Sequence, residues 1–414
     1  MSIMVGRDVA PLTIQEAVGE FVSERRDYYK QWMFDKPLLI KEDTVVVASQ
    51  LQRLLRKAIL HFVENYKKYE HLMPLSTSAR AVVDCFSERK YRIGTYRTDF
   101  VYDDSKNMRL IEITCRFALN GLFLPSIMES VADEHRQNYL PRIAPNNIYP
   151  AIFDYMKSRF GDSTSIFVLK GADTRNASKI YTDLLTKSGY TITDISFDDL
   201  HNQIDQIDAR DVIVSELALE EIESIPIETI QLLAQKNIIN DLRTVFLIHD
   251  KRFFSVLSNS DFLSDVFTTE EIDFFWQFLI PTYTYSDAYA DIWKDAALHK
   301  DDWIIKHSTL GKSQKIYAGV VMSDEEWLAI FESDDIDKMI LQQWIPQEKV
   351  HGTVEGVRFE DYVTGTLLYF DDRFFGFGDF RTSSHPVINV VDHRKYCSLL
   401  LDCKDPIFEN YNIF

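Results

Sequence analysis

The hydrophobic pattern of the first ninety residues is typical of helices. Between Thr44 and Glu70 apolar residues recur every three or four positions, which places them on one face of a long helix. These residues are Leu51, Leu54, Leu55, Ile59, Phe62 and Tyr66. We expect residues 13 to about 90 to be helical. The apolar face is expected to serve packing or dimerisation, so a homodimer is one predicted assembly.

The period of the pattern changes at Ile93. The segments IGTYRTDFVYD and MRLIEIT alternate like strands, and the turn-like DDSKN joins them, so a hairpin is predicted. A helix is expected at 122–135. From Ser165, strands such as SIFVLK, YTITDIS and DVIVS alternate with helical segments, one of which ends at Gly189. This alternation predicts a small parallel, doubly wound sheet. The segment TVFLIHDKRFFSVL is expected to be a strand that runs into a helix.

After Pro281 the pattern becomes α+β. DWIIKHS, KIYAGVV and KMILQQWI are predicted strands, and SDEEWLAIFES is a predicted helix. FEDYVTGTLLYFDDRFFGFGDFR is predicted to be a hairpin that turns at Asp371 and Asp372. The chain is therefore expected to combine α/β and α+β architecture.

Composition narrows the function classes. The chain has 414 residues, with 45 Lys and Arg against 64 Asp and Glu, a formal net charge of -19. This balance, without a run of more than two basic residues, argues against nucleic acid as the main partner. Neither a signal peptide nor a membrane-spanning run is expected, so no membrane partner is predicted. The four cysteines lack metal-ligand spacing and favour a reduced cytoplasm.

Acidic and basic residues meet on the first predicted hairpin. Arg97 and Asp99 share one face of a strand, and the hairpin brings Glu112 beside Asp99. Two adjacent carboxylates repel unless a cation bridges them, and Mg²⁺ favours one or two carboxylates together with phosphate oxygens. Arg97 on the same face would hold a transferring phosphoryl group. The alternative is a surface network of these three residues.

Two later segments fit a nucleotide. Lys306 ends a predicted strand and is followed by a polar loop with Lys312 and Lys315, a pattern that suits closure over phosphates or an exposed hairpin. Residues 340–345, ILQQWI, would lie along an adenine edge or form an ordinary strand.

The loop at 171–178, GADTRNAS, follows a strand and opens a helix. It would bind an anion with help from Arg175, or simply connect the two elements.

The ordered set of these motifs resembles circularly permuted ATP-grasp proteins, of which glutathionylspermidine synthetase is the best known. RTDF…RLIEIT, HDKRFFSVL, WIIKHS…KIYAG, ILQQWIP and FGDFRTSSHPVIN follow in that order from about Tyr91 to Asp392. The carboxylate motif precedes the lysine loop, whereas in ordinary ATP-grasp chains it comes last. The resemblance implies ATP and Mg²⁺ as ligands.

The resemblance also implies roles for individual residues. Lys306 and either Lys312 or Lys315 would contact the nucleotide phosphates, and Arg97 would stabilise phosphoryl transfer. The implied adenine-binding linker consists of Gln342, Gln343, Trp344 and Ile345. The implied metal ligands are Asp99, Glu112 and Thr114, where Thr114 replaces the usual asparagine. Arg381 and Asn389 fall where such proteins place phosphate-facing or substrate-facing groups. The glycine-poor loop HSTLGKSQKI is a second departure from the family pattern.

The implied reaction is ligation. ATP-grasp enzymes typically convert a small carboxylate into an acylphosphate, which an amine or other nucleophile then attacks. The implied division is a helical region at 1–90, a carboxylate-bearing part at 91–160, a Rossmann-like pre-ATP-grasp domain at 161–300 and a nucleotide-binding lobe at 301–414. The alternatives are a degenerate ATP-grasp that acts as a scaffold or partner subunit, and a small-molecule kinase.

Overall fold

A computed structural model describes residues 31–115, 143–144, 148–172, 182, 185–186, 188–311, 313–388, 394–401 and 412. Several predictions lie outside these residues. They are the helical stretch at 13–30, the helix at 122–135 and the sites at Arg175, Lys312 and Asn389.

The long N-terminal helix is present. Helix α1 (Glu42–Glu64) buries Leu51, Leu54 and Phe62 completely, so its apolar face packs into the core of the chain itself. The expectation that the whole region is helical was wrong at β1 (Leu38–Lys41), which pairs in parallel with β17 (Ser398–Leu401). Its apolar residues are fully buried, and a short apolar run of this kind does not reveal its conformation by periodicity. The short strand β4 (Ile143–Ala144) completes this three-stranded sheet.

The largest sheet combines strands from residues 95–114 with strands from residues 349–396. The predicted hairpin is confirmed as β2 (Thr95–Tyr102) and β3 (Met108–Thr114). The second predicted hairpin is confirmed as β14 (Val357–Phe370) and β15 (Arg373–Ser383). Strand β14 pairs with β2 in antiparallel fashion, so the order is β16-β15-β14-β2-β3. The remaining strands of this sheet are β13 (Lys349–Val354), which pairs with β14, and β16 (Arg394–Tyr396).

The predicted parallel sheet is also confirmed. Its strand order is β6-β5-β7-β8, and all its pairs are parallel. The strands are β5 (Ser165–Lys170), β6 (Thr191–Ser196), β7 (Val212–Glu216) and β8 (Asn237–Ile239). The described helices between Ile148 and Leu233 are α4 (Ile148–Phe160), α5 (Leu200–Gln203), α6 (Leu219–Ser224) and α7 (Ile227–Leu233).

The segment after β8 corrects one expectation. The predicted strand in TVFLIHDKRFFSVL lies within α8 (Leu242–Leu247), and α9 (Phe253–Leu257) follows. The side chain of Asp241 accepts a hydrogen bond from the Arg243 backbone N–H and caps the first of these helices. Every residue of α8 is buried, which explains why its apolar run looked like a buried strand.

A four-stranded antiparallel sheet of order β11-β10-β12-β9 faces the large sheet across a cleft. Its strands are β9 (Thr282–Thr284), β10 (Trp303–His307), β11 (Ile316–Ala318) and β12 (Met339–Gln343). Helices α12 (Ala290–Leu298) and α13 (Asp324–Phe331) pack against it through the buried Trp293 and Trp327. The other described α-helices are α2 (Tyr66–Tyr69), α3 (Thr77–Cys85), α10 (Ser260–Val266) and α11 (Thr269–Trp276). Among the helices that the structure describes, none has the length and apolar character needed to cross a bilayer.

Candidate functional site

One cleft of about 440 Å³ lies between the large sheet and the β9–β12 sheet. Strands β2, β3 and β15 supply charged side chains from one wall, and β10 and β12 supply Lys306 and Gln342 from the other. Ten residues singled out from the sequence line it: Arg97, Asp99, Glu112, Thr114, Lys306, Gln342, Gln343, Trp344, Ile345 and Arg381. Segments separated by more than two hundred residues in sequence therefore meet at one cavity.

The acidic pair lies side by side on the hairpin. Asp99 is the direct cross-strand partner of Glu112, and Arg97 is the partner of Thr114. A register shift follows Asp99, which is a bulge in the ladder next to the pair. The Glu112 side chain is 21% exposed in the cleft, whereas that of Asp99 is 6% exposed. The two carboxylates therefore differ in access although they are neighbours.

Two arginines hold Asp99. The Arg97 Nε donates to Asp99 Oδ1 at 2.8 Å, and Arg381 Nη2 donates to the other oxygen, Oδ2. Burial alone would raise the pKa of Asp99, but the two guanidinium groups outweigh it and hold this pKa below its usual range. Arg381 Nε also lies 3.5 Å from the buried Asp379. Asp99 therefore stays ionised and orients both guanidinium groups at the cleft wall.

Lys306 is a buried cation with few partners. Its Nζ donates to Gln342 Oε1 at 2.7 Å and lies 3.4 Å from the Ile111 carbonyl oxygen. Burial is the main cause that lowers the pKa of Lys306 to about 8; Lys251 adds to the effect and Glu112 opposes it. The cleft thus contains an ammonium group that a bound anion would stabilise.

Gln342 lies in the cleft lining, where its side chain contacts other groups of the protein. Its side chain is fully buried, its Nε2 donates to Thr282 Oγ1 at 2.8 Å, and its Oε1 accepts from Lys306. Both ends of the amide are therefore hydrogen-bonded, and Thr282 holds the amide whose oxygen binds Lys306. At the following turn the Trp344 backbone N–H donates to the Asp302 carbonyl at 2.7 Å.

Lys251 is a site residue that sequence reasoning did not assign. Its side chain is almost completely buried, and its Nζ lies 3.3 Å from Glu112 Oε1 and donates to the Leu310 carbonyl at 2.7 Å. Its backbone N–H also donates to the Ser308 carbonyl at 2.9 Å. Lys251 thus ties the loop after β10 to the carboxylate on β3. The signal in the sequence was the position of HDK at the start of a helix.

The loop after β10 closes one end of the cleft. Gly311 and Ser313 line it, and the Ser313 hydroxyl donates to the Ile388 carbonyl at 2.6 Å across the opening. Lys315, by contrast, is outside the cleft lining and forms an ion pair with Asp335. Of the two loop lysines, Lys315 therefore makes no contact with the cleft in this structure, and Lys312 is not among the described residues.

The expected anion position at 171–178 contains a carboxylate from the chain itself. Glu221 accepts hydrogen bonds of 2.6 Å from the backbone N–H groups of Ala172 and Ala218. A side chain at Gly171 would clash with the same carboxylate. In the described part of this loop, the donor that an external anion would use is therefore already engaged.

The charges and donors of the cleft suit an anion with a divalent cation. Its lining carries three cations, Arg97, Lys306 and Arg381, against two carboxylates, so it is positive within a protein of net charge -19. Within the described residues, no cluster of three or more Asp, Glu, His or Cys side chains suits a metal ion. Glu112 and Thr114 still offer accessible oxygens, and Mg²⁺ in proteins is commonly held by one or two carboxylates with substrate phosphates and water.

Comparison with known proteins gives a fold relationship. A solved structure of a glutathione synthetase like-effector (GSS30) from Globodera pallida, in its apoform, matches with a TM-score of 0.56 and 8% identity. The match covers 96% of this chain and 99% of that one. The chain therefore has a mixed α/β fold of the glutathione synthetase-like kind.

Comparison of the sequence gives a match to part of the chain. A family model described as the AnkG N-terminal domain matches residues 51–247, a range that includes β2 and β3 but ends before Lys306. No curated protein sequence matches the chain.

Proposed function

We propose that this chain is a circularly permuted ATP-grasp protein. On this proposal it is an ATP- and Mg²⁺-dependent, ADP-forming ligase that activates a small carboxylate and joins it to an amine or other nucleophile. The observation that carries the proposal is the convergence of Arg97, Arg381 and Lys306 on the same cleft as Asp99 and Glu112. The glutathione synthetase-like fold agrees with it. The order along the chain, with the carboxylates before the lysine, supports the permutation.

The cations are arranged for a polyphosphate. Each guanidinium has five N–H donors, and the hydrogen bond to Asp99 uses one of those on Arg97, so further donors remain for phosphate oxygens. Lys306 is fixed by Gln342 before any ligand arrives. Groups that are held in place beforehand stabilise developing charge without a reorganisation cost. We therefore propose Arg97 and Arg381 as the groups that face the transferring phosphoryl group, and Lys306 as a phosphate contact.

Glu112 and Thr114 would hold the metal, with Asp99 as a second carboxylate if it releases an arginine. Mg²⁺ bound there would neutralise phosphate charge and orient the reacting group. Lys251 offsets the charge of Glu112 and fixes the loop that follows Lys306. The contact between Ser313 and Ile388 narrows the opening, which would protect an acylphosphate from water.

The carboxylate and nucleophile are proposed to be small molecules. We place the protein in a reduced cytoplasm, and the buried free thiols of Cys115 and Cys397 support this location. A homodimer remains a prediction from the sequence.

A second candidate function is a nucleotide-binding scaffold without turnover. The observation that favours it is the double engagement of Asp99, whose two oxygens are both bound by arginine. Thr114 in place of a stronger metal ligand points the same way. A protein of this kind would bind nucleotide in the same cleft but would not release ADP with any acid. A small-molecule kinase would release ADP without a second nucleophile.

The first experiment is a thermal-shift titration with ATP, with and without Mg²⁺. At a nucleotide concentration of 100 times Kd, binding should stabilise the protein by about 2.7 kcal/mol. Lys306→Met should remove the shift, whereas Lys315→Met, a lysine of the same hairpin outside the cleft, should retain it. Absence of any shift at millimolar Mg-ATP in the unmodified protein would contradict both candidate functions.

The second experiment separates the candidates. ADP and inorganic phosphate are measured with a panel of small carboxylates, each with and without a panel of amines. Release that needs both an acid and an amine supports the ligase, and release with the acid alone supports the kinase. Nucleotide binding without release under any combination supports the scaffold.

A further inference from the structure

A second, smaller pocket lies at the opposite end of β2 from the acidic pair. It has a volume of about 260 Å³ and is bounded by α1, the segment before β2, α4 and the β14–β15 turn. We call it the basic pocket, because its lining carries four cations, Arg56, Lys90, Arg92 and Arg159, against two carboxylates, Asp371 and Asp372, beside the rings of Tyr91 and Tyr155. It shares no lining residue with the nucleotide cleft. Ile93 at its edge and Asp99 in the cleft are six residues apart along the chain, at most about 20 Å.

Three cations of the basic pocket are available to a ligand. Arg56 is half-buried on α1, and Lys90 and Arg92 are exposed just before β2. Across the residues that the structure describes, none of these three forms a hydrogen bond or an ion pair. In a protein with 19 more acidic than basic residues, three cations without a carboxylate partner around one pocket are unexpected.

Further positive charge surrounds the pocket. Arg159 lines it and pairs with Asp371, while Arg243 lies over the Tyr91 ring and is bound to Asp241. The nearby carboxylates of Asp371 and Asp241 are therefore already engaged.

Arg89 lies close enough to these cations for them to affect its pKa. Burial is the main cause that lowers its pKa; Arg243, Arg92 and Arg159 add to the effect, and Asp241 opposes it. Like charges so close together repel unless anions lie between them. The lining contains Asp371, which pairs with Arg159, and Asp372, which accepts a hydrogen bond from the Tyr155 hydroxyl; among the described contacts neither pairs with Arg56, Lys90 or Arg92.

The shape and donors of the pocket indicate which anion fits. Arginine forks match the oxygens of phosphate in bidentate fashion, and a lysine adds a point charge. The cations stand on different elements, α1 and the segment before β2, and the pocket of about 260 Å³ between them has room for more than one phosphate group. The rings of Tyr91 and Tyr155 with Leu60 and Ile93 supply apolar surface between them.

We propose that the basic pocket binds a compact ligand that carries two or more phosphate groups, either a free small molecule or the headgroup of a phosphorylated lipid. This site is independent of the nucleotide cleft and does not depend on the proposed ligase activity. Its ligand would be bound mainly by Arg56, Lys90 and Arg92.

The test uses inositol trisphosphate as a free probe in isothermal titration calorimetry. A second arm uses co-sedimentation with phosphatidylcholine vesicles with and without phosphatidylinositol bisphosphate. Arg56→Gln and Arg92→Gln should each weaken binding about tenfold or more, and added salt should weaken it further. Because neither side chain has a partner in the described structure, both variants should unfold at the same temperature as the parent protein. Arg210→Gln is the control, since that arginine is 88% exposed and lines neither the basic pocket nor the cleft that contains Lys306.

The outcomes separate the proposal from its alternatives. Binding of the free probe that is lost in both variants supports a soluble ligand, and binding that needs the lipid and is lost in both variants supports a headgroup. The proposal is overturned if neither probe binds at millimolar phosphate, if both variants bind like the parent, or if Arg210→Gln weakens binding equally. Binding of Mg-ATP should be unchanged in all three variants, so failure here leaves the proposed function unaffected.

Discussion

Replacing Lys306 with methionine should separate the charge of the cleft from its packing. Methionine keeps most of the length of the lysine stem but carries no charge, so the variant removes the buried ammonium group. Holding its pKa near 8 instead of 10.5 costs the folded state about 3 kcal/mol at pH 7. The variant should recover this free energy of unfolding and should no longer bind Mg-ATP.

The loss of a buried hydrogen bond opposes this gain in the free energy of unfolding. Gln342 Oε1 would lose its donor inside a fully buried site, which costs about 1–3 kcal/mol. At pH 7 the two nearly cancel or leave the variant more stable by about 2 kcal/mol at most. The net change at a single pH is therefore a weak test, and the pH dependence of the difference is the informative quantity.

The direction of this pH dependence follows from the number of protons that the folded and unfolded states bind. The pKa of Lys306 is lower in the folded than in the unfolded state, so between pH 8 and 10.5 the unfolded state binds more protons. The stability of the parent protein therefore gains a contribution as pH rises through this window, which the methionine variant lacks. From pH 7 to pH 10 the difference between them should shift by about 2 kcal/mol in favour of the parent protein.

Urea denaturation followed by tryptophan fluorescence at pH 7 and pH 10 measures this shift. Lys315→Met is the control, because its exposed ion pair with Asp335 should contribute less than about 1 kcal/mol at either pH. A difference between parent and Lys306→Met that stays the same at both pH values would refute the buried-cation interpretation.

Three further predictions concern the proposed activity. Glu112→Gln should reduce Mg²⁺-dependent ADP release about 100-fold in a coupled assay, because a carboxylate ligand becomes a neutral amide. Arg381→Lys should lower kcat about tenfold with little change in KM for ATP, because lysine keeps the charge but lacks the planar fork that contacts Asp99. ATP affinity measured by calorimetry should fall as pH rises from 7 to 9, because Lys306, with a pKa of about 8, loses its proton.

Each of these predictions would be contradicted by a specific outcome. Normal turnover of the Glu112 variant would exclude it as a metal ligand, and a kcat of Arg381→Lys equal to that of the parent would exclude a fork contact in the reaction. Near pH 8 ATP binding should take up protons, seen as heats that differ between buffers of different ionisation enthalpy. Equal heats would show that Lys306 does not face the phosphates.

Local strand patterns were readable from the sequence, while long-range partners were not. The β2–β3 hairpin follows from alternation around a short polar turn. The register set at that turn alone would place Asp99 opposite Ile111, and the bulge between Asp99 and Phe100, which the pattern does not show, places it opposite Glu112. Nothing in that pattern specifies β14 as the other neighbour of β2, with Thr366 opposite Asp99. Pairing over such a separation depends on the packing of the whole sheet.

The errors and omissions have physical causes as well. Strand β1 and helix α8 are short elements; all residues of α8 and the three apolar residues of β1 are buried, so neither has the polar face that would show its period. Gln342 lines the cleft, but strand alternation does not show that its buried amide binds Lys306. The sequence left the role of Lys251 open, because its partners Glu112 and Ser308 lie on segments far from it along the chain.

The most direct test is a crystal structure with Mg²⁺ and a non-hydrolysable ATP analogue. The triphosphate should lie in the 440 Å³ cleft, with the terminal phosphate within hydrogen-bonding distance of Arg97 or Arg381 and with Lys306 on a phosphate oxygen. The metal should be bound by Glu112. An analogue found elsewhere on the protein, or a cleft that stays empty at saturating nucleotide, would contradict the central claim.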